Sequence, residues 1–553
     1  MEKPWYKFWP EGVPKSIEYP NISLGEVMKQ AAKNYPDNPA IIYYGRRFSY
    51  RELDRLVDTF ATALQDLGVK KSDRVGIMLP NIPQFAIAYY GALRAGAVCV
   101  ACSPLYKGRE LEHQLNDAKA ETLVVMDTLY SIVQEIKAKT KLRNVIAVSP
   151  RDYLPPLLRL LAPLKGVKSH KCPGAIDFLS LMSRYEPSPK PVAVAPDDLA
   201  LLQYTGGTTG VPKGAMITHR NLIVNAAQCE VLLPVRRGID IGVTALPLFH
   251  IFGMTTAMNT HVFTGTTMLM LPDPRDQKAI LKGISKYKAT VFCGVPTLYV
   301  ALINRPDIGK YDLSSLRACI SGAAPLPVEI QRKFEQITGG RLVEGYGLTE
   351  SSPVSHANPL DDPKKNRPGS IGIPVPDTDA KVVDLETGTR DLKSGETGEL
   401  VIKGPQVMQG YWNKPDETDI ALRNKWLYTG DIAKMDEDGY FYIVDRKKDM
   451  IDVSGLKVWP REVEEILYEH PAVNEAAVLG VPDPYRGETV KAYVTLKQGY
   501  EGKVTEKEII EFCKEKIATY KAPTSVEFRS SLPKTLVGKI LRRTLREELE
   551  SKK

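Results

Sequence analysis

Cysteine is scarce in this chain of 553 residues: seven are scattered from Cys99 to Cys513, an odd number without the spacing of a disulfide framework. A reducing compartment, the cytoplasm, is therefore the expected location. Cys99 and Cys102 form a lone C-x-x-C, but they fall in a stretch, Ala97 to Ala101, that reads as a buried strand, and no second Cys/His pair stands at zinc spacing. The first residues, MEKPWYKFWPEG, lack an apolar core, so no secretory signal is expected. An excess of one charge is lacking too. The 74 Lys and Arg against 66 Asp and Glu leave only +8, mostly interleaved, which argues against a nucleic-acid partner. Glycine and proline, 41 of each, make up about 15% of the chain, short of a low-complexity bias, and no repeat of about 20 to 50 residues is visible. Membrane-spanning runs are also missing. Residues 241 to 272 carry no Asp, Glu, Lys or Arg, yet Thr244, Pro247, His250, Gly253, Asn259, His261, Thr264 and Gly265 interrupt them. That stretch reads as protein interior lining a cavity.

What remains is an ordinary globular composition, 43% hydrophobic and 25% charged, long enough for three or four units at about 150 residues each. Short apolar runs (Ala40 to Tyr44, Val75 to Leu79, Thr122 to Met126, Thr290 to Cys293) alternate with helical stretches (Tyr50 to Leu67, Gln84 to Ala95), which predicts an α/β architecture. After about residue 370 the texture becomes Gly-punctuated short strands (Ala380 to Asp384, Gly398 to Lys403, Gly439 to Val444), the pattern of an antiparallel, barrel-like subdomain. From Asp445 a second mixed pattern begins, with helices at Pro460 to Glu469 and Glu506 to Ala518 and strands at Glu475 to Gly480 and Val490 to Leu496. The expected division is a large domain over 1–445 and a small α+β domain over 446–553. The Leu-rich, basic segment Tyr153 to Lys171 carries two open readings: a surface helix that touches a membrane, or an amphipathic helix packed on the body.

The chemistry is concentrated in Tyr204-Thr205-Gly206-Gly207-Thr208-Thr209-Gly210-Val211-Pro212-Lys213, which follows the apolar run Leu199 to Leu202. Three hydroxyls and three glycines in six residues, with a lysine after them, make a loop of N–H and O–H donors suited to phosphate oxygens. It departs from the G-x-x-x-x-G-K-[ST] phosphate loop at Pro212, and no helix is expected to begin at Lys213.

YTGGTTGVPKGA resembles the signature of the adenylate-forming superfamily of acyl-CoA synthetases, adenylation domains and luciferases. Other motifs of that superfamily follow in order: ALPLFH at Ala245 to His250, EGYGLTE at Glu344 to Glu350, GELVIKGPQVMQGYW at Gly398 to Trp412, YTGD at Tyr428 to Asp431, DRKKDMIDVSG at Asp445 to Gly455 and PKTLVGKILRR at Pro533 to Arg543. Among subfamilies the motifs are most similar to bacterial long-chain fatty acyl-CoA ligases. The reaction this implies has two halves. A carboxylate attacks the α-phosphate of ATP to give acyl-AMP and pyrophosphate, and the thiol of coenzyme A then displaces AMP. Because the carboxylate is already ionised at neutral pH, the first half needs charge stabilisation more than a base.

The same resemblance implies site residues. Thr205, Gly206, Gly207, Thr208, Thr209, Gly210 and Lys213 would hold the β- and γ-phosphates, and Thr349 the α-phosphate. Glu350, with Thr205, would bind Mg²⁺. Gly322 and Ala323, with Gly345, Tyr346 and Gly347, would line the adenine pocket; Asp431 would accept the ribose hydroxyls, with Arg446 and Lys448 assisting. Lys539 would bridge carboxylate and α-phosphate, and completes an expected catalytic set with His250, Thr205 and Glu350. His250 matches a position near the acyl carboxylate; a buried structural histidine is the alternative. Asp445 and Lys448 would form a hinge, and Ser454, Gly455 and Lys457 would face coenzyme A. Parts of the superfamily have a lysine before Val453-Ser454-Gly455, where this chain has Asp452.

The uncharged region 241 to 272 lacks the acid that would pair with an amino-acid ammonium, so an apolar carboxylate is expected, with Thr290 to Ile303 as further apolar lining. The leading expectation is a fatty acid–CoA ligase using ATP, Mg²⁺ and coenzyme A, as monomer or homodimer, cytoplasmic and with the inner membrane face as a candidate contact. Aryl- or medium-chain ligases, an acyl-AMP ligase serving a carrier protein, and a silent acyl- or nucleotide-binding protein stand as alternatives.

Overall fold

The computed structural model describes residues 3–165, 169–205, 212–454, 456–483, 486–534 and 540–551. Two largely parallel sheets make up the body. In one, Ala318–Ser321, Val291–Gly294, Ile241–Thr244, Thr267–Met270 and Pro39–Tyr43 run side by side in parallel, with Arg341–Gly347 parallel beyond Ala318–Ser321. In the other, Leu199–Thr205, Val98–Ala101, Arg74–Met78, Thr122–Met126 and Asn144–Val148 are parallel. Their strands are apolar on both faces because helices cover them, as the burial of every residue in Val98–Ala101 and in Thr122–Met126 attests.

Helix ends follow local chemistry. Ser49 caps Tyr50–Asp66 by accepting the Glu52 N–H, and Pro83 opens Pro83–Arg94, where its missing N–H leaves no bond unmade. Every residue of Pro83–Arg94 is buried, and Arg94 is neutralised there by Asp54 and Asp58 at 2.6 and 2.7 Å. The Cys99 and Cys102 thiols are buried in or beside the strand Val98–Ala101, with Cys102 pushed up to about 12 by burial, so the pair is packing.

The antiparallel sheet expected after residue 370 is present. Asp379–Val383, Thr397–Lys403 and Trp426–Met435 pair in turn, and Phe441–Arg446 pairs with Trp426–Met435. Beyond it a small α+β unit is built on a separate sheet, in which Val473–Asp483 and Gly487–Leu496 form a long antiparallel hairpin covered by the helices Pro460–Glu469 and Glu506–Lys516. Its own apolar core joins Val463 and Leu467 of the first helix, Val478 and Ala492 of the hairpin, and Ile509 and Cys513 of the second helix. The whole is an α/β fold with a large N-terminal and a small C-terminal domain. No helix among the described residues is long and apolar enough to cross a membrane.

Candidate active site

The site gathers at the carboxyl ends of the parallel strands, where backbone leaves the sheet and side chains converge. Thr205 ends Leu199–Thr205 and is the antiparallel register partner of Lys213. Lys213 begins the strand Lys213–Thr218; as expected, no helix starts there. The loop residues Gly206, Gly207, Thr208, Thr209 and Gly210 lie outside the described residues, as do Gly455 and Lys539. The Lys448 side chain is not described either.

One cavity unites much of what the motifs single out. His250, Gly322, Ala323, Gly345, Tyr346, Gly347 and Thr349 line it. His250 caps the short helix Ile251–Met254 through its Nδ1, which accepts the Phe252 N–H at 3.2 Å. Glycine is needed at 347, where a Cβ would stand 2.1 Å from the Pro353 carbonyl oxygen, and Ala323 takes a left-handed φ of +67°. The apolar walls differ from expectation. Ile251, Phe252 and Thr256 come from the uncharged region, but Thr290 to Ile303 contributes none of the lining; Cys229, Leu232, Leu233, Ile320, Val354 and Ala357 do. Val291–Gly294 is flanked by strands on both sides, and Tyr299 packs edge-on against Phe334 at 4.9 Å.

At the polar rim, Asp431 is buried and accepts the Tyr346 hydroxyl on one oxygen at 2.5 Å and Arg446 Nε on the other at 2.8 Å. Strand register puts them together, because Asp431 and Arg446 are direct antiparallel partners. Burial, with Asp431 alongside, holds the Tyr346 phenol well above its usual range, so it stays a donor. A carboxylate has about four lone-pair positions, and these two bonds leave acceptor capacity for a diol.

Two residues without an assigned role join the phosphate side. The Tyr411 hydroxyl donates to Glu350 Oε1 at 2.6 Å, while the Tyr411 ring lies 5.1 Å under Lys213 Nζ. Glu417, on the helix Pro415–Ala421, holds the same Nζ at 2.5 Å. Tyr411 lies within the GYW motif; nothing in the sequence points to Glu417. Glu344, the first residue of EGYGLTE, is buried and pushed up to about 7 by desolvation, against the pull of Arg461 and the Leu326 N–H at 2.9 Å.

Asp445, expected at a hinge, is tied down. It is buried and accepts the Arg446 and Arg461 N–H groups, both at 2.6 Å, and the Arg542 guanidinium at 3.3 Å. Arg542 also reaches Asp449 at 3.3 Å and Glu464 at 2.6 Å. Ser454 has a left-handed φ of +55° at the tip of the hairpin Ile451–Val453/Leu456–Val458, on which Lys457 is exposed opposite Asp452.

The site is thus a strand-end cavity with the buried carboxylate of Asp431 at its rim. Comparison with known proteins gives the family. The AMP-binding enzyme family matches residues 28–412, and the AMP-binding enzyme C-terminal domain matches 462–539. The chain belongs to the AMP-binding enzyme family. It is 45% identical to the long-chain-fatty-acid–CoA ligase of Bacillus subtilis (strain 168), over 99% of this chain and 98% of the relative. It is similar in structure to the anthranilate CoA ligase AuaEII in complex with anthranoyl-AMP, at a TM-score of 0.86 and 28% identity over 96% of this chain and 98% of that one. ATP-bound MatB from Rhodopseudomonas palustris gives 0.84 and 29%, over 96% and 99%.

Proposed function

We infer that this AMP-binding family member is an ATP-dependent long-chain fatty acid–CoA ligase, an acid–thiol ligase. It converts a fatty acid and ATP to acyl-AMP and pyrophosphate, then acyl-AMP and coenzyme A to acyl-CoA and AMP. The observation that carries the reading is the single cavity in which uncharged walls from Cys229, Leu232, Phe252 and Val354 meet the motif residues His250, Tyr346 and Thr349. The long-chain ligase relative and the ATP- and acyl-AMP-bound neighbours support the same chemistry.

In this reading the acyl chain lies against the apolar walls with its carboxylate toward His250, and adenine packs by Tyr346 with Gly322, Ala323, Gly345 and Gly347. Asp431 takes the ribose hydroxyls and Arg446 holds Asp431 in place. Thr349, Lys213 and the loop Thr205 to Gly210 take the phosphates. Lys539 neutralises charge between carboxylate and α-phosphate. Glu350 and Thr205 are hard oxygen donors that suit Mg²⁺, which supplies charge neutralisation to the phosphates when bound. The domain boundary falls at 445/446, and the C-terminal domain turns about Asp445 to Lys448 so that Ser454, Gly455 and Lys457 face coenzyme A in the second half. Seven unpaired cysteines support a reducing, cytoplasmic setting.

Pyrophosphate release against acids of graded length, with and without coenzyme A, tests the reading. Each methylene buried adds about 0.8 kcal/mol, so specificity should climb with chain length to a plateau. A best substrate of acetate or benzoate size overturns it.

A further inference from the structure

Behind the carboxylate of Asp431 stands a second buried acid, Glu399, to which the chemistry above gives no role. It lies on Thr397–Lys403, directly opposite Ile432 of Trp426–Met435. The pairing then slips. The next register pair is Val401 with Tyr428, so Leu400 alone faces Thr429, Gly430 and Asp431. Extra residues on one strand make a bulge, a device that re-aims a side chain and leaves backbone groups without ladder partners. The last residue of this bulge is Asp431, whose carboxylate meets Tyr346 and Arg446.

Side chains close the bulge. Thr429 Oγ1 donates to the Leu400 carbonyl at 2.7 Å and accepts the Asp431 N–H at 3.1 Å. Gly430 takes a left-handed φ of +71°, open to glycine without penalty, and its N–H donates to Glu399 Oε1 at 3.1 Å. The other oxygen of Glu399 accepts Lys447 Nζ at 2.9 Å. Glu399 is only 6% exposed, and both of its oxygens are engaged. Burying a carboxylate is costly, but a charged acceptor holds an N–H roughly twice as strongly as a neutral one. Arg446 and Lys447 are consecutive, so neighbouring residues hold the two carboxylates, Arg446 on Asp431 and Lys447 on Glu399.

We propose that Glu399 is a positioning residue for nucleotide binding: by holding the Gly430 N–H it fixes the bulge that presents Asp431 to the ribose hydroxyls. One carboxylate serves two hydroxyls at once only if its backbone is fixed, and groups behind the contacting residue supply that fixity. The proposal rests on the reading of Asp431 as the ribose acceptor.

The test is calorimetric binding of AMP and of 2′,3′-dideoxy-AMP to the full chain, without acid or coenzyme A. The native protein should prefer AMP by at least about tenfold, the scale of hydrogen bonds to a charged group. In Glu399→Ala, and in Glu399→Met, which keeps the volume, AMP should weaken by about tenfold and the dideoxy analogue by less than about twofold, so the preference disappears. Glu399→Gln keeps an oxygen for the Gly430 N–H and should restore most of the preference. Adding Glu399→Ala to Asp431→Ala should cost AMP nothing further. Equal weakening of both ligands makes Glu399 a purely structural residue and overturns the proposal, as does a preference that survives in the Ala and Met variants. A native protein without the preference refutes the ribose role of Asp431 and the proposal with it, while fatty-acid ligation is read separately by pyrophosphate release.

Discussion

The ammonium nitrogen of Lys213 stands 2.5 Å from a carboxylate oxygen of Glu417. The lysine assigned to the ATP phosphates therefore already has an anion, supplied by a helix some two hundred positions later in the chain. ATP must displace Glu417 or share the lysine with it.

Glu417→Gln removes that competitor. The pair is partly exposed, so it is worth at most about 1 kcal/mol. The KM for ATP should fall by up to about fivefold with kcat little changed, read from pyrophosphate release over a range of ATP. A higher KM would mean that Glu417 positions the lysine instead.

Tyr411→Phe keeps the ring beneath Lys213 and deletes the donor to Glu350. A hydrogen bond to a charged group is worth about 1.5–3 kcal/mol. The Mg²⁺ concentration for half-maximal rate should rise about tenfold, while the Tm shifts little. An unchanged Mg²⁺ dependence removes Tyr411 from the positioning of Glu350.

How far such contacts can be read from sequence depends on whether they are local in the chain. The strand Thr122–Met126 and the helix Pro460–Glu469 fall where periodicity and the Pro at the helix start put them. Tyr346, Thr349 and His250 reach one cavity because Tyr346 lies at the end of the strand Arg341–Gly347, Thr349 lies just past it, and His250 lies beyond Ile241–Thr244. Asp431 with Arg446 needs a register that no single stretch encodes, and Lys213 with Glu417 joins residues with no motif between them. Apolar composition fits a core wall and a substrate wall equally well, so sequence alone does not assign Thr290 to Ile303, which lends nothing to the cavity beside His250.

Stability should depend on pH through Glu344. Burial raises its carboxyl to about 7 from an ordinary 4.5, so the folded state binds the proton more tightly than the unfolded chain does. Stability is then greatest below about pH 4.5 as far as this group goes, falls as pH rises toward 7, and levels off above, by on the order of 3 kcal/mol. Glu344→Gln retains an acceptor for the Leu326 N–H and should flatten this decline, raising Tm at pH 8 more than at pH 5. Equal shifts at both pH values would refute a buried titration.

Lys539→Ala separates the half-reactions. Acyl-AMP formation should drop by roughly two to four orders of magnitude, the scale of a lost charged transition-state contact. Synthetic acyl-AMP with coenzyme A should still yield thioester. Equal loss in both halves removes the assignment.

The hinge reading can be tested at a position the backbone selects. Arg446 is extended at φ −94°, ψ 135° and precedes the single turn Lys447–Asp449, so residue 447 takes the first helical position, where proline fits and its missing N–H is least felt. Proline fixes φ near −65° and would hold the segment as it stands, with Arg542 on Asp445 and Asp449. If the C-terminal domain must turn here between the two halves, Lys447→Pro runs one half-reaction near the native rate and slows the other strongly. Lys447→Ala serves as the control, since both variants lose the partly exposed pair with Glu399 at 2.9 Å, worth at most about 1 kcal/mol. Single-turnover assays of acyl-AMP formation and of thioester formation decide the matter. Equal slowing of both halves by the proline, or none beyond the alanine control, means the segment is a fixed turn and the domain does not pivot there.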